Sequence, residues 1–510
     1  MTTDLFIIGG GINGCGIARD AVGRGLTVRL AEQGDLAQAT SSKSTKLFHG
    51  GLRYLEFLEI RLVREALQER ETLLRAMPHI ARPMRFVLPL DPEMRFDSDT
   101  PVSRTLARLM PWEKGRRPAI LIRAGLFLYD HLGGRKILPG TTALKLPGSP
   151  EGAPLKDRLK RAYEYSDVWV DDARLVALNA RDAAERGALI ETRAQVAEAR
   201  REGDLWRVTM ADGQVHYARA LVNAGGPWVG HLIHDVIHLD TRQNVRLVRG
   251  SHIVVPKLYD HDKAYFFQGA DGRIIFAIPY QQGEFTLIGT TDKDHREAPQ
   301  DAVCTPEEQD YLCNFASQYF KKPVTRDQIV WTYSGVRPLY DDGAKSATAA
   351  TRDYVLAVDD KGAPCLNVFG GKITTYRRLA EHALEKLAPF FPEAGPGWTA
   401  GVPLPGGAFP VDGVPALVAT LRQKHGYDEA TALRLVRAYG TEAQTIAARP
   451  QGRDFGAGLR EAELGWMIDH EFALTGEDAL WRRSKLGLHL SEDQAQAVSD
   501  WMAERVASSV

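Results

Sequence analysis

The side chains best suited to chemistry sit in three short stretches. His49-Gly50-Gly51-Leu52-Arg53-Tyr54 places a base, a fixed cation and a phenol close together, and its paired glycines let the backbone approach a planar ligand. Leu366-Asn-Val-Phe-Gly370-Gly371-Lys372-Ile-Thr374-Thr375-Tyr376 runs from an apolar strand through two glycines into a helix, Arg377 to Pro389. It offers an anion-ready helix N-terminus with a lysine and two hydroxyls beside it. Arg337 stands in Trp331-Thr-Tyr-Ser-Gly-Val-Arg-Pro338. An arginine before proline is more often half of a structural ion pair, so its position alone assigns it no role.

A fourth stretch is dense in hydroxyls: Asp35-Leu-Ala-Gln-Ala-Thr40-Ser41-Ser42-Lys43-Ser44-Thr45-Lys46. Such density usually marks a solvated loop or helix caps. Its place directly after the N-terminal motif described next suits it equally to bonding a phosphate or a ribityl chain.

The elements that must position these groups begin at the N-terminus. Asp4 to Gly9 is a short apolar strand, Cys15 to Arg24 a helix, and Leu26 to Ala31 a second strand that closes on Glu32. The turn between strand and helix reads Gly9-Gly10-Gly11-Ile12-Asn13-Gly14, a G-x-G-x-x-G with an acid about twenty residues on. Gly9 permits the tight turn, Gly11 lets the backbone approach a diphosphate, and Gly14 lets helix and strand pack closely. Glu32 would accept hydrogen bonds from ribose hydroxyls, which favours a cofactor without a 2′-phosphate. This fingerprint does not by itself separate FAD from NAD.

With 510 residues the chain can build two or three domains. Its formal charge of −1, with 44% apolar and 25% charged residues, gives no global field for nucleic acid. Cys15, Cys304, Cys313 and Cys365 form no C-x-x-C, so free thiols in a reducing compartment and no metal site are expected. Neither a signal peptide nor a membrane-spanning run is expected.

Helical periodicity spans Glu56 to Met77, ended by Pro78, and Met84 to Leu90 reads as a strand. Between 103 and 123, Arg104, Arg108, Lys114, Arg116, Arg117 and Arg123 are opposed only by Glu113 and interleaved with apolar residues. This is either an amphipathic helix pair with a solvated basic face or a patch that lies on an anionic membrane, where each cation contributes about 1 kcal/mol. Ala162 to Val170 is a strand and Asp171-Asp172 cap the helix after it. Leu205 to Met210 is a strand, and Ala220 to Trp228 is a buried strand ending in the turn Asn-Ala-Gly225-Gly-Pro-Trp. Residues 240–340 alternate like antiparallel sheet, and a Pro/Gly-rich linker from Pro392 to Pro410 leads to a helical tail.

Taken in order, these stretches resemble the FAD-dependent, respiratory quinone-linked glycerol-3-phosphate dehydrogenases of the D-amino-acid-oxidase-like flavoprotein class. The resemblance is carried by Ile7–Gly14, Thr40–Lys46, His49–Glu56, Tyr165–Leu175, Gly250–Pro256, Ile288–Asp292, Trp331–Pro338 and Phe369–Tyr376. Two departures accompany it: residues 92–118 are longer than expected, and Gly225 stands where threonine is often found before the second glycine of the 223–228 turn.

The resemblance implies an α/β fold: a Rossmann-like FAD-binding domain (1–80, 160–235 and 345–392), a β-sheet substrate or cap domain (81–159 and 236–344), and an all-helical C-terminal domain (393–510). It implies oxidation of glycerol 3-phosphate to dihydroxyacetone phosphate, with hydride transfer to FAD and delivery of electrons to ubiquinone or menaquinone. Peripheral attachment to the cytoplasmic face of the inner membrane follows from that acceptor, and a homodimer is one arrangement it allows. A soluble oxidase using oxygen, another oxidase of the class, and a flavin-binding regulatory protein are the rivals.

For the site, His49 is implied as proton acceptor, because imidazole titrates near neutrality, and Arg337 as the group stabilising developing alkoxide charge. The reverse assignment stays open. Arg53, Tyr54 and Lys372 join Arg337 in holding substrate. FAD contacts are expected at Gly9, Gly11, Gly14, Glu32, Thr40, Ser41, Ser42, Val196, Gly225, Gly371 and Lys372, without a covalent bond to the flavin.

Overall fold

The computed structural model describes residues 2–94, 100–109, 119–241, 243–270, 272–341 and 353–508. Two sheets and a helical unit make up the architecture. The first sheet runs in the order Val355–Asp359, Cys365–Phe369, Val215–Asn223, Thr2–Ile8, Val28–Ala31, Leu189–Glu191, with Leu205–Met210 and Val196–Glu202 continuing antiparallel from Val215–Asn223. Thr2–Ile8 pairs parallel with Val28–Ala31 on one side and Val215–Asn223 on the other. Helices Ile12–Gly23, Asp172–Glu185 and Tyr376–Leu387 cover it, and their apolar stripes share one core with Leu5, Ile7, Leu30 and Val222. A strand buried on both faces reads as an apolar run, which is how Asp4–Gly9 announces itself.

The second sheet has Ala81–Leu90 and Arg161–Val170 as a long antiparallel pair. Ala264–Gln268, Ile274–Tyr280, Phe285–Gly289 and Val245–Pro256 follow, and Trp331–Tyr340 lies along Val245–Pro256. Helix Pro306–Tyr319 seals one face through Leu312, Phe315 and Ala316. The strand Arg161–Val170, grouped by sequence with the FAD-binding domain, thus runs in the cap sheet. The boundary falls at Asp171, whose carboxylate accepts the Arg174 N–H and starts the next helix of the first layer.

Two boundaries differ from the periodicity. The helix expected from Glu56 begins at Ile60, because Leu52–Phe57 form a 3-10 turn and Leu58 takes φ 61°. Between 91 and 103, a polar stretch flanked by prolines that reads as a loop, a helix already starts at Pro101 and runs Pro101–Leu109, and a second helix spans Ala119–Leu132. Of the basic patch, Lys114, Arg116, Arg117 and Glu113 lie outside the described residues; Arg104 and Arg108 are exposed.

The C-terminal unit packs Val414–His425, Glu429–Tyr439, Glu461–Glu471 and Glu492–Ala507 around Leu421, Leu435, Met467 and Val498. It is helical apart from a small hairpin, Asp454–Gly456 with Leu459–Arg460. Buried ion pairs fasten it to the first layer: Arg174 grips Glu471 at 2.7 Å, and Arg483 meets Asp35 at 2.7 Å. No helix among the described residues is long and apolar enough to cross a membrane.

Candidate active site

One elongated cavity of about 1040 Å³ threads between the two sheets. It is lined by Gly9, Gly11, Glu32 and Val196, and also by His49, Arg53, Tyr54, Arg337, Gly371 and Lys372. Thr40, Ser41 and Gly225 line it too. The expected residues are therefore brought together from five separate stretches. Gly14 and Ser42 do not line it.

The part around Gly9 is shaped by close packing. A Cβ on Gly14 would lie 1.9 Å from the Gly9 carbonyl oxygen, so Gly14 sets the approach of helix to strand and does not face the cavity. Gly9 has φ +115°, and a Cβ there would meet the Ala224 oxygen at 2.5 Å. Glu32 accepts backbone N–H groups from Gly10 at 2.7 Å and Gly34 at 2.8 Å. Burial is the largest influence on its carboxyl and pushes its pKa up, against the pull of those donors. Ser41 Oγ accepts the Ile12 N–H at 3.0 Å, so a hydroxyl sits at the helix N-terminus. Ser42 instead offers its carbonyl to the Lys46 ammonium at 2.6 Å, a structural task.

The two glycine turns meet. Asn13 Nδ2 donates to the Gly370 carbonyl at 3.1 Å, tying the N-terminal fingerprint to the turn before Lys372. Lys372 Nζ lies 3.9 Å over the Tyr54 ring. Gly51 holds φ +74° with the Tyr54 ring so close that a Cβ would stand 2.2 Å from it. Arg53 stands over Phe57 at 5.9 Å.

His49 follows the strand Leu47–Phe48, and its N–H donates to Thr374 Oγ1 at 3.3 Å. Its ring meets Phe276 edge-on at 6.3 Å. The environment changes the acid–base expectation: burial above all, then the charges of Lys372 and Arg70, lower the imidazole pKa to about 4. At neutral pH the ring is neutral and able to accept a proton, yet it is a weaker base than an ordinary histidine.

Arg337 is held by groups that the residue-by-residue reading did not assign. Its Nη1 donates to Asp292 Oδ1 at 2.5 Å and its Nη2 to Thr290 Oγ1 at 3.0 Å. A Cβ on Gly250 would sit 2.4 Å from Nη2, so that glycine clears the space. Both an ion pair and a cavity position are therefore true of Arg337. Arg273 and Asp292 also line the cavity and were not anticipated. Asp292 ends the Ile288–Asp292 motif, which carried a signal; Arg273 had none beyond its charge.

The residues fit FAD. A glycine turn with a helix N-terminus, an acid 22 residues after Gly10 in a backbone nest, and a second glycine turn lining the same cavity form a cradle for an extended dinucleotide.

Comparison with known proteins agrees. Residues 4–377 match the model of the FAD-dependent oxidoreductase family, and residues 398–509 match the C-terminal domain of alpha-glycerophosphate oxidase. The chain is 49% identical to D-erythritol 1-phosphate dehydrogenase of Brucella abortus, over 98% of this chain and 97% of that one. It is 48% identical to aerobic glycerol-3-phosphate dehydrogenase of Escherichia coli, over 99% and 98%. Among solved structures, glycerol-3-phosphate dehydrogenase from Bacillus halodurans complexed with FAD aligns with TM-score 0.73 and 26% identity, covering 99% of this chain and 91% of that chain.

Proposed function

From its place in the family of FAD-dependent oxidoreductases, to which this chain belongs, we propose that it oxidises sn-glycerol 3-phosphate to dihydroxyacetone phosphate and passes the electrons to a membrane quinone. The observation that carries this reading is the cation set of the cavity. Arg53, Arg273, Arg337 and Lys372 line the same cavity as Glu32, together with His49. A phosphate dianion is held by such groups, each charge-assisted bond contributing about 1.5–3 kcal/mol.

In this reading FAD, held by the glycine turns and Glu32, would supply the acceptor for the hydride leaving C2 of the alcohol. His49 takes the hydroxyl proton on its neutral ring. Arg337, oriented by Asp292 and Thr290, stabilises negative charge as it develops on that oxygen. Arg53, Lys372 and Tyr54 orient the phosphate, with Lys372 kept over the Tyr54 ring. Buried Phe266 and half-buried Phe276 line the cavity, and displacing water there strengthens each of these interactions.

D-erythritol 1-phosphate is a second substrate reading, favoured by the 49% identity to the Brucella enzyme. Both compounds are monophosphates of polyols and call on the same cations. For electron delivery, exposed Ile120, Phe127 and Leu128 on the helix Ala119–Leu132, near exposed Arg104 and Arg108, support attachment to an anionic bilayer.

The test is anaerobic. The yellow protein is mixed with glycerol 3-phosphate or D-erythritol 1-phosphate, and then with a soluble quinone. Bleaching by glycerol 3-phosphate at the lower concentration, with recovery by quinone, supports the proposal. Bleaching only by the four-carbon compound replaces the substrate. Fast recovery with oxygen and peroxide formation, and none with quinone, replaces the acceptor.

A further inference from the structure

Lys43 is the one member of the hydroxyl-rich segment whose charge has no task in the fold described so far. It follows the 3-10 turn Thr40–Ser42, capping it with its N–H to the Thr40 carbonyl at 3.0 Å. Its side chain lines the cofactor cavity, beside Ser44, Ser334 and Gly335. Room for it is built into the opposing strand: a Cβ on Gly335 would stand 2.6 Å from the Lys43 Cβ.

The neighbouring ions are already matched to one another. Lys46 Nζ bonds both Asp172 oxygens at 2.7 Å and the Ser42 carbonyl at 2.6 Å. Arg482 bonds Asp35, Glu477 and Asp478. Lys485 Nζ is taken by the Trp481 carbonyl at 2.5 Å. Asp172 and Glu477, the acids nearest to Lys43, are thus spoken for. Among the described residues the Lys43 ammonium has no hydrogen-bond or ion-pair partner.

A half-buried cation left over on a cavity wall is costly once a ligand displaces the water around it, unless that ligand brings the counter-charge. We propose that Lys43 is a cofactor-binding residue whose ammonium meets negative charge on bound FAD, either its diphosphate or the anion of its reduced ring. Consistent with that setting, burial foremost, then Lys46 and Arg482, lowers the Lys43 pKa to about 8. A bound anion returns it to full charge. The inference rests on the cofactor and is independent of which polyol phosphate is oxidised.

The experiment compares the holoenzyme with Lys43→Met, which keeps the apolar stem, and Lys43→Arg, which keeps the charge. Two quantities are read: the dissociation constant of oxidised FAD from titration of apoprotein, and the midpoint potential of bound flavin from dye equilibration. If the reduced ring is the partner, Lys43→Met holds reduced flavin about tenfold less tightly relative to oxidised. That corresponds to a potential lower by about 30 mV for a two-electron couple. If the diphosphate is the partner, the dissociation constants of FAD and of ADP rise about tenfold at unchanged potential. Lys43→Arg retains the wild-type values in both cases. Lys43→Gln replaces Lys43→Met should the latter fail to fold. A charge-free variant with both quantities unchanged overturns the proposal.

Discussion

The Tyr129 hydroxyl accepts the backbone N–H of Gly50 at 2.7 Å and donates to Asp167 at 2.8 Å. Arg70 in turn bonds Asp167 at 2.6 Å and the Ser166 carbonyl at 2.8 Å. This chain of buried groups lies behind the turn that presents His49, and it begins on the helix whose outer face carries exposed Phe127 and Leu128. Tyr129→Phe keeps the ring but leaves the Gly50 N–H without its acceptor, a loss of about 1–3 kcal/mol. A lower thermal midpoint and a lower kcat with retained FAD are expected. A variant matching wild type in both would show that the hydroxyl does not position the turn.

The His49 environment sets a pH profile. The ring must be neutral to accept a proton, and its pKa is lowered to about 4 in the protein without substrate. The acid limb of kcat/KM should therefore lie near that value and well below the usual histidine range. A bound phosphate dianion favours the imidazolium, so the limb of kcat should lie higher. His49→Ala should reduce turnover by about 10²–10⁴-fold with FAD content unchanged. Near-normal turnover at neutral pH would remove the base assignment.

Arg337 and Asp292 form a second testable pair. Arg337→Lys keeps the charge but cannot donate to both Asp292 and Thr290 from a planar fork. Loss of one charge-assisted bond of about 1.5–3 kcal/mol corresponds to roughly 10–150-fold in kcat/KM. Asp292→Asn should fall in the same direction by a smaller factor, because the amide still accepts a hydrogen bond. Steady-state kinetics with the flavin spectrum as control reads both.

The tie between Asp35 and the C-terminal unit should matter for cofactor retention. Asp35 receives Arg482 at 2.5 Å and Arg483 at 2.7 Å, with all three side chains buried. Asp35→Ala leaves Arg483 without its carboxylate partner, its Nε bond to the Glu471 carbonyl aside, while Arg482 keeps Glu477 and Asp478; breaking a buried pair costs about 3–5 kcal/mol. Asp35 also lies next to the Gly34 N–H that supports Glu32. A lower thermal midpoint together with faster FAD release on dilution is expected. Loss of stability at unchanged FAD release would confine the pair to domain docking.

Attachment to lipid can be read by flotation with anionic vesicles. Phe127 is 58% exposed and Ile120 76%. Phe127→Ser with Ile120→Ser should weaken binding at any salt concentration, whereas Arg104→Ser with Arg108→Ser should weaken it chiefly at low salt, by about 1 kcal/mol per cation. Flotation unchanged in both double variants would place the docking surface elsewhere.

By itself the sequence determined the parts whose signal is local. The strand–turn–helix–strand at Asp4–Glu32, the cap at Asp171, and the alternation within 240–340 all follow from spacings within a few residues. His49, Arg53 and Lys372 stood out because each lies in a short glycine-turn motif, and Arg337 through the motif Trp331–Pro338. Only the tertiary structure decided what those residues are. Arg337 became an anchored cation through Asp292, 45 positions away, and His49 lost basicity to burial above all, then to Lys372 and Arg70 from other elements. Arg161–Val170 moved to the cap sheet because its partner, Ala81–Leu90, is remote in sequence. Lys43, one residue among many hydroxyls, gained meaning only when its acidic neighbours proved to be occupied. Charge and hydrogen-bond energies depend on distance and on water removed, and both are set by contacts between segments far apart along the chain.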